Sequence, residues 1–409
     1  MNILFIHQNF PAQFIHLSQA LALRGHQVRA LAIKGQSVPG VTLENYTLPR
    51  GNTPNIHPYA IEFETKVIRA DACAQKMIAL KEGGFEPELI VAHPGWGESI
   101  FCKQIFPNAK LVHFIEFHYG KGLDIGFDTE FQVQDLQDTL RMSVKDSGNL
   151  LSLDLMDLGI CPTRWQLSSV PDYHQSRIEL VFDGIDTDIV APNPKASVNL
   201  KGARNEKNFC VEDEVLTFVN RNLEPYRGYH SFMRSLPKIM NERPNANVII
   251  VGGNEVSYGK PPAQGNSWKE IFLEEIKDQV DLSRIFFVGK IPYKHYLALM
   301  QVSRCHVYLT YPFVMSWSAV EALAAGSLVV GSDTPPVREF IQDQENGLLV
   351  NFFDYDQIAN TVIDCLANPE KYQHLRIKAR EGVVEKYDLK RVCLPKQISI
   401  LSDLMGQPL

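Results

Sequence analysis

Short, β-branched apolar runs return along the whole chain, and each is followed by a polar turn and a stretch with helical spacing. This alternation limits the fold more than any other feature, because parallel strands need long crossovers and a helix is the usual one. In the first half the runs are Ile3–His7, Gln27–Ile33, Glu88–His93, Lys110–Glu116, Leu158–Cys161 and Arg177–Phe182. Between the first two, Phe10, Phe14, Leu17 and Leu21 share one helical face, which predicts an amphipathic helix over 11–24 ended by Gly25. Around 187–212 the pattern lapses into Pro192, Pro194, Gly202, Asn205 and Asn208. It restarts with Val215–Asn220, Asn247–Gly252, Arg284–Gly289, Cys305–Thr310 and Leu328–Gly331, with helical stretches such as 267–280 and 293–303 between them. At 409 residues the chain exceeds what one core organises. The expectation is an α/β protein of two Rossmann-like domains, 1–190 and 213–387, joined by a linker at 191–212. A last helical segment, 388–409, is expected to pack back on the first domain.

With 45% hydrophobic and 21% charged residues the chain has the composition of a folded protein rather than a disordered one. A net charge of -7 gives no support to nucleic-acid backbone binding as its main task, since that needs a clustered basic surface. The seven cysteines, at 73, 102, 161, 210, 305, 365 and 393, include no Cys-x-x-Cys pair and read as reduced, mostly buried thiols. The N-terminus carries no basic leader, and no apolar stretch is long enough to cross a bilayer. A cytoplasmic location is expected, with membrane contact limited to a peripheral one.

In open parallel sheets ligands sit beyond the carboxyl ends of strands, where helix N-termini present N–H groups to anions. The most informative strand end reads Tyr311-Pro-Phe313-Val-Met-Ser316-Trp317-Ser318-Ala-Val-Glu321-Ala-Leu-Ala-Ala-Gly326, followed by an apolar run and Thr334-Pro-Pro-Val-Arg-Glu339. Ser316 or Ser318 can cap a small-residue helix that Gly326 closes. Amides near Met315–Ser318 would then face a diphosphate, and Glu321, one turn in, could accept hydrogen bonds from ribose hydroxyls. A second strand end reads Val219-Asn-Arg221-Asn-Leu-Glu-Pro-Tyr-Arg227-Gly228 and brings two cations, the means of stabilising a leaving group that gains negative charge. A third, Phe287-Val-Gly289-Lys290-Ile291-Pro292, forms a tight turn. In the first domain two runs, Val91-Ala-His93-Pro-Gly-Trp96-Gly-Glu98 and Leu111-Val-His113-Phe-Ile-Glu116-Phe-His118-Tyr-Gly120, put histidines, carboxylates and a tryptophan at strand ends. A lone strand-end histidine is more often structural than catalytic.

These stretches resemble the retaining glycosyltransferases of family 4, whose fold is called GT-B: two facing Rossmann-like domains with a deep cleft between them. The resemblance covers most of the second domain and the first more loosely. It implies transfer of a sugar from a nucleotide-diphosphate donor (UDP-, GDP- or ADP-sugar) to a sugar, lipid-linked or small-molecule acceptor, with the anomeric configuration retained. Glu321 stands at the second glutamate of the family pattern and Glu339 at the later acidic position, while the first glutamate is replaced by Phe313. Arg221 and Arg227 match the family's strand-end Arg and Lys-Gly pair, with Arg in place of Lys. The resemblance thus assigns Arg221, Arg227 and His118 to catalysis. It assigns Glu321, Ser316, Trp317, Ser318, Lys290 and Ile291 to the donor, and leaves His93, Glu116 and Trp96 as acceptor or sugar contacts. No cofactor is implied, the nucleotide sugar being a co-substrate, and no metal: Asp186-x-Asp188 reads as a hinge turn, and zinc-type ligand spacing is absent. The alternatives are a sugar-nucleotide 2-epimerase or a non-catalytic nucleotide-sugar-binding protein. A dinucleotide dehydrogenase is disfavoured, because the loop after the first strand, His7–Gln13, holds no glycine.

Overall fold

The computed structural model describes residues 1–119, 125–132, 136–201, 206–263 and 265–409. Gly120, Gly202 and Asn205 lie outside the described residues. The chain forms two compact units, Met1–Gly184 with Lys390–Leu409, and Ile185–Leu389.

The first unit is built on strands β1 (Asn2–Ile6), β2 (Gln27–Ala32), β3 (Val41–Asn45), β4 (Leu89–Ala92), β5 (Lys110–Phe114), β6 (Leu158–Cys161) and β7 (Ile178–Leu180). All pair in parallel, in the order β3-β2-β1-β4-β5-β6-β7. Continuous apolar runs suit these strands because helices cover both faces of such a sheet. On one face Leu4, Ile6, Ile90 and Leu111 pack with Cys73, Met77 and Leu80 of the Ile61–Glu82 helix. The Leu394–Met405 helix belongs to this unit: Gln397 Nε2 donates to the Phe182 carbonyl at 3.1 Å, and Arg24 donates to the Leu409 carbonyl at 2.7 Å.

The second unit begins with a hairpin, β8 (Ser197–Lys201) and β9 (Glu206–Cys210), which pair antiparallel in the stretch read from the sequence as a linker. Its parallel sheet contains β10 (Val215–Asn222), β11 (Asn247–Gly253), β12 (Ile285–Gly289), β13 (Cys305–Tyr308), β14 (Leu328–Ser332) and β15 (Leu348–Val350), in the order β12-β11-β10-β13-β14-β15. The expected α/β architecture with two Rossmann-like sheets is therefore what the chain forms. Where the chain enters and leaves this unit, Ile185 accepts from the Leu389 amide and donates to the Tyr387 carbonyl, both at 2.8 Å.

Both sheets reverse their strand order once. In the first unit the reversal lies between β1 and β4, and in the second between β10 and β13. Crevices at such points are where parallel α/β sheets take ligands, which singles out the residues following these four strands. All seven cysteines are free thiols, and six are buried. Among the described residues no helix is long and apolar enough to cross a membrane.

Candidate active site

After β10 the chain passes through a 3-10 turn, Pro225–Arg227, and enters the Tyr229–Glu242 helix through Gly228 at φ +67°. A side chain is excluded at Gly228, since a Cβ there would lie 2.3 Å from the Leu309 Cβ. Gly228→Ala is expected to lower stability by about 2–3 kcal/mol, through left-handed strain plus overpacking. Urea unfolding of the variant checks this; an unchanged midpoint would show that the loop can give way.

The two arginines of this segment part company. Arg221 is exposed at the end of β10 and has no hydrogen bond or ion pair among the described residues. Arg227 is 5% exposed, because the turn at 225–228 folds it back under β13. Its Nη1 donates to Tyr308 Oη at 3.2 Å, Thr310 Oγ1 at 2.9 Å and the Val314 carbonyl at 2.8 Å. The guanidinium lies over the rings of Tyr258, 5.0 Å away, and Phe313, 5.7 Å away. The sequence reading expected both cations to face the diphosphate. In the structure Nη1 of Arg227 is taken up inside the protein, where it shapes the loop that precedes the next helix. Phe313, in the place of the family's first glutamate, is buried at 4% exposure in the same cluster, with Tyr226 at 5.2 Å and Tyr258 at 5.0 Å.

The small-residue stretch after β13 forms the Trp317–Ala325 helix. Ser316 caps it, its Oγ accepting from the Ser318 amide at 3.3 Å, and Gly326 closes it at φ +84°. Buried Ala319, Ala322, Ala324 and Ala325 let the helix lie close to its neighbours. Arg376 and Arg380 donate to the Gly326 and Ala324 carbonyls at 3.0 and 3.1 Å, which complements the negative end of the helix. At the other end the Ser316 amide donates to Tyr308 Oη at 2.8 Å, so two of the amides expected to face a diphosphate, at 316 and 318, are taken up by protein oxygens. Trp317 is exposed at 43%. Glu321 is half-buried and accepts from Tyr293 Oη at 2.8 Å. Burial pushes its carboxyl above the usual carboxylate range, against the hydrogen bonds from Tyr293 and Tyr296. At the end of β12, Gly289 takes φ +65°, Lys290 pairs with Glu255 at 2.8 Å on the surface, and Ile291 is half-buried.

Glu224 carries a role the sequence reading missed. Fully buried, it accepts from the amides of Ser257 at 3.0 Å, Tyr258 at 3.2 Å and Gly259 at 3.1 Å, and thereby holds Tyr258 against Arg227. The signal was available, a lone acid between Leu223 and Pro225 at the end of an apolar strand.

In the first unit the ends of β1 and β4 bring together His7, His93 and Trp96. His93 stacks on Trp96 at 4.3 Å, and His7 meets Trp96 edge-on at 4.8 Å. The Gly95 amide donates to His93 Nδ1 at 3.1 Å, so in the neutral ring Nε2 carries the hydrogen and donates to Glu116 Oε2 at 3.2 Å. Glu116 is exposed beyond the end of β5. His118 is 8% exposed, with Nε2 at 2.6 Å from Asp146 Oδ2. Glu98, in the same run as His93 and Trp96, is 1% exposed and 3.4 Å from Tyr46 Oη, and burial raises its pKa.

Residues 24–190 match the family description "Glycosyl transferase family 4 group", and residues 202–382 match "Glycosyl transferases group 1". A D-inositol 3-phosphate glycosyltransferase of Mycobacteroides abscessus is 28% identical over 224 residues, which are 54% of this chain and 42% of that protein. A GDP-mannose-dependent alpha-(1-6)-phosphatidylinositol monomannoside mannosyltransferase of Mycolicibacterium smegmatis is 24% identical over 212 residues, 51% of this chain and 52% of that one. The chain thus spans about half the length of the curated relatives it matches. Among solved structures, the sucrose-phosphate synthase of Thermosynechococcus elongatus superposes with a TM-score of 0.73 at 18% identity, covering 99% of both chains. Anabaena HepE in complex with UDP and glucose gives 0.64 at 16% identity, over 99% of this chain and 100% of the other. Two glycosyl transferase descriptions thus cover most of the chain, the family 4 group over its first half and group 1 over its second, and the solved neighbours share its GT-B fold.

Proposed function

We propose that the protein transfers a sugar from a nucleotide-diphosphate donor to a hydroxyl-bearing acceptor, with retention of anomeric configuration. One observation carries the reading. At the reversal of strand order in the second unit, an exposed guanidinium, Arg221, ends β10, and the loop after β13 leads into a serine-capped helix with a half-buried carboxylate, Glu321, one turn in. Cation and helix N-terminus suit a diphosphate, and the carboxylate suits ribose hydroxyls. As the sugar leaves, charge builds on the diphosphate, and groups already aimed at it lower the barrier. These groups supply positive charge without a metal ion, and we assign no metal or cofactor to the reaction.

The named relatives support a sugar-nucleotide donor and a sugar or lipid-linked acceptor, inositol-type acceptors among them. Screening UDP-, GDP- and ADP-sugars for thermal stabilisation tests the donor, because a ligand bound only by the folded state raises Tm. One nucleotide class is expected to stabilise the protein and to be turned over, with a product whose anomeric configuration, read by NMR, matches the donor. An inverted product would overturn retention, and no stabilisation by any of them would overturn the donor site.

A further inference from the structure

Asp146 precedes the Ser147–Leu155 helix and is 9% exposed. One of its oxygens faces His118 Nε2 at 2.6 Å, and the other accepts from Asn149 Nδ2 at 3.2 Å. Asn149 Oδ1 accepts in turn from Lys66 Nζ at 3.0 Å, and Lys66, on the Ile61–Glu82 helix, is also 9% exposed. The chain makes room for this lysine with two glycines. A Cβ at Gly97 would lie 2.6 Å from the Lys66 carbonyl oxygen, and one at Gly148 would lie 2.8 Å from Lys66 Cδ. A lysine, an amide, a carboxylate and an imidazole thus form one hydrogen-bonded line through the first unit.

The line ends on an unfilled acceptor. A carboxylate at 2.6 Å requires a hydrogen on Nε2, so in the neutral ring the lone pair sits on Nδ1. Nδ1 is buried and has no partner among the described residues. The main chain beside it is fixed as well, the His118 amide donating to Ser169 Oγ at 3.1 Å. Buried acceptors are nearly always paired, and a ligand hydroxyl is the donor that would complete this one.

We infer that Asp146 is a positioning residue. It locks His118 in the tautomer whose Nδ1 accepts a hydrogen bond from a sugar hydroxyl, and Asn149 and Lys66 hold Asp146 in place. The hydroxyl is that of donor or acceptor, so this rests on the proposed transfer reaction.

Two measurements decide it. The first is the ring 15N spectrum of His118 in the ligand-free protein, assigned by comparison with His118→Gln; the hydrogen is expected on Nε2. The second is the kinetics of Asp146→Asn, a nearly isosteric change that leaves either tautomer open. Its kcat is expected to fall about tenfold to a hundredfold, the worth of one hydrogen bond to a strongly held group, while the donor KM stays close to wild type. A hydrogen on Nδ1 in the wild type would overturn the assignment, and so would an Asp146→Asn variant that keeps its kcat. Absence of turnover in the wild-type protein would count against the transfer reaction alone, since the spectrum needs no substrate and still decides the tautomer.

Discussion

Arg221→Ala is expected to lower kcat/KM for sugar transfer about a hundredfold to a thousandfold, the usual loss when one preorganised donor to a developing charge is removed. The unfolding midpoint should stay where it is, because Arg221 is exposed and holds nothing in place among the described residues. Arg227→Ala should behave in the opposite way. It would leave Thr310 Oγ1 and the Val314 carbonyl without this donor inside the protein, so stability falls first. Glu321→Gln separates charge from shape: the Tyr293 hydrogen bond can persist, and the cost of burying an ionised carboxyl disappears. Donor affinity is expected to drop about tenfold or more, as a charged acceptor becomes a neutral one, with no loss of stability at neutral pH. Steady-state kinetics and urea unfolding on the same three variants test this division. Wild-type kinetics in Arg221→Ala would remove the site from β10 and β13.

The parts of this architecture that were legible in the sequence are those where one physical cause acts alone. Central strands such as β1, β4, β10 and β13 are buried on both faces, so their apolar runs are continuous. The edge strand β3, Val41–Asn45, alternates partly and went unread, as did β15, which has only three residues. The hairpin β8–β9 hid among prolines and asparagines, because two antiparallel strands next to each other need no long apolar run. At the site, the Ser316 cap and the Gly326 stop could be read directly, since capping chemistry is local. The inward turn of Arg227 could not: it depends on Gly228 meeting Leu309 and on a cage of Tyr258 and Phe313 drawn from separate loops. The same holds for Asp146, whose meaning comes from a histidine 28 positions earlier in the chain. Phe313 illustrates both sides, a departure visible in the sequence whose consequence, burial against Arg227, is visible only in the fold.

Acid should unfold the first unit before the second. His7 and His113 lie in the first unit with pKa values lowered to about 3, and His306 lies in the second at about 4. Burial is the main cause in each. His113 Nδ1 is satisfied by the Ser152 carbonyl at 3.0 Å, and His306 Nδ1 pairs with Thr217 Oγ1 at 2.9 Å. A second proton on His113 would have to go to Nε2, which is buried and has no acceptor among the described residues, and His306 Nε2 is buried without a partner in the same way. Between pH 6.5 and these lowered values the unfolded chain binds protons that the folded chain refuses. Stability is therefore intact above about pH 6.5 and is lost as pH falls through that window, by about 1.4 kcal/mol per pH unit for each ring. At pH 5 this amounts to about 4 kcal/mol in the first unit and about 2 in the second, a large share of the stability typical of a domain. Glu98 and Glu321 act the other way, since their raised pKa values let the folded chain take up protons first, which offsets part of the loss in each unit. Circular dichroism followed from pH 7 to pH 3.5 should show two acid transitions, the earlier one moving to lower pH in His113→Leu. A single transition that His113→Leu does not shift would mean that these rings find acceptors when they are charged, and that burial does not keep them neutral.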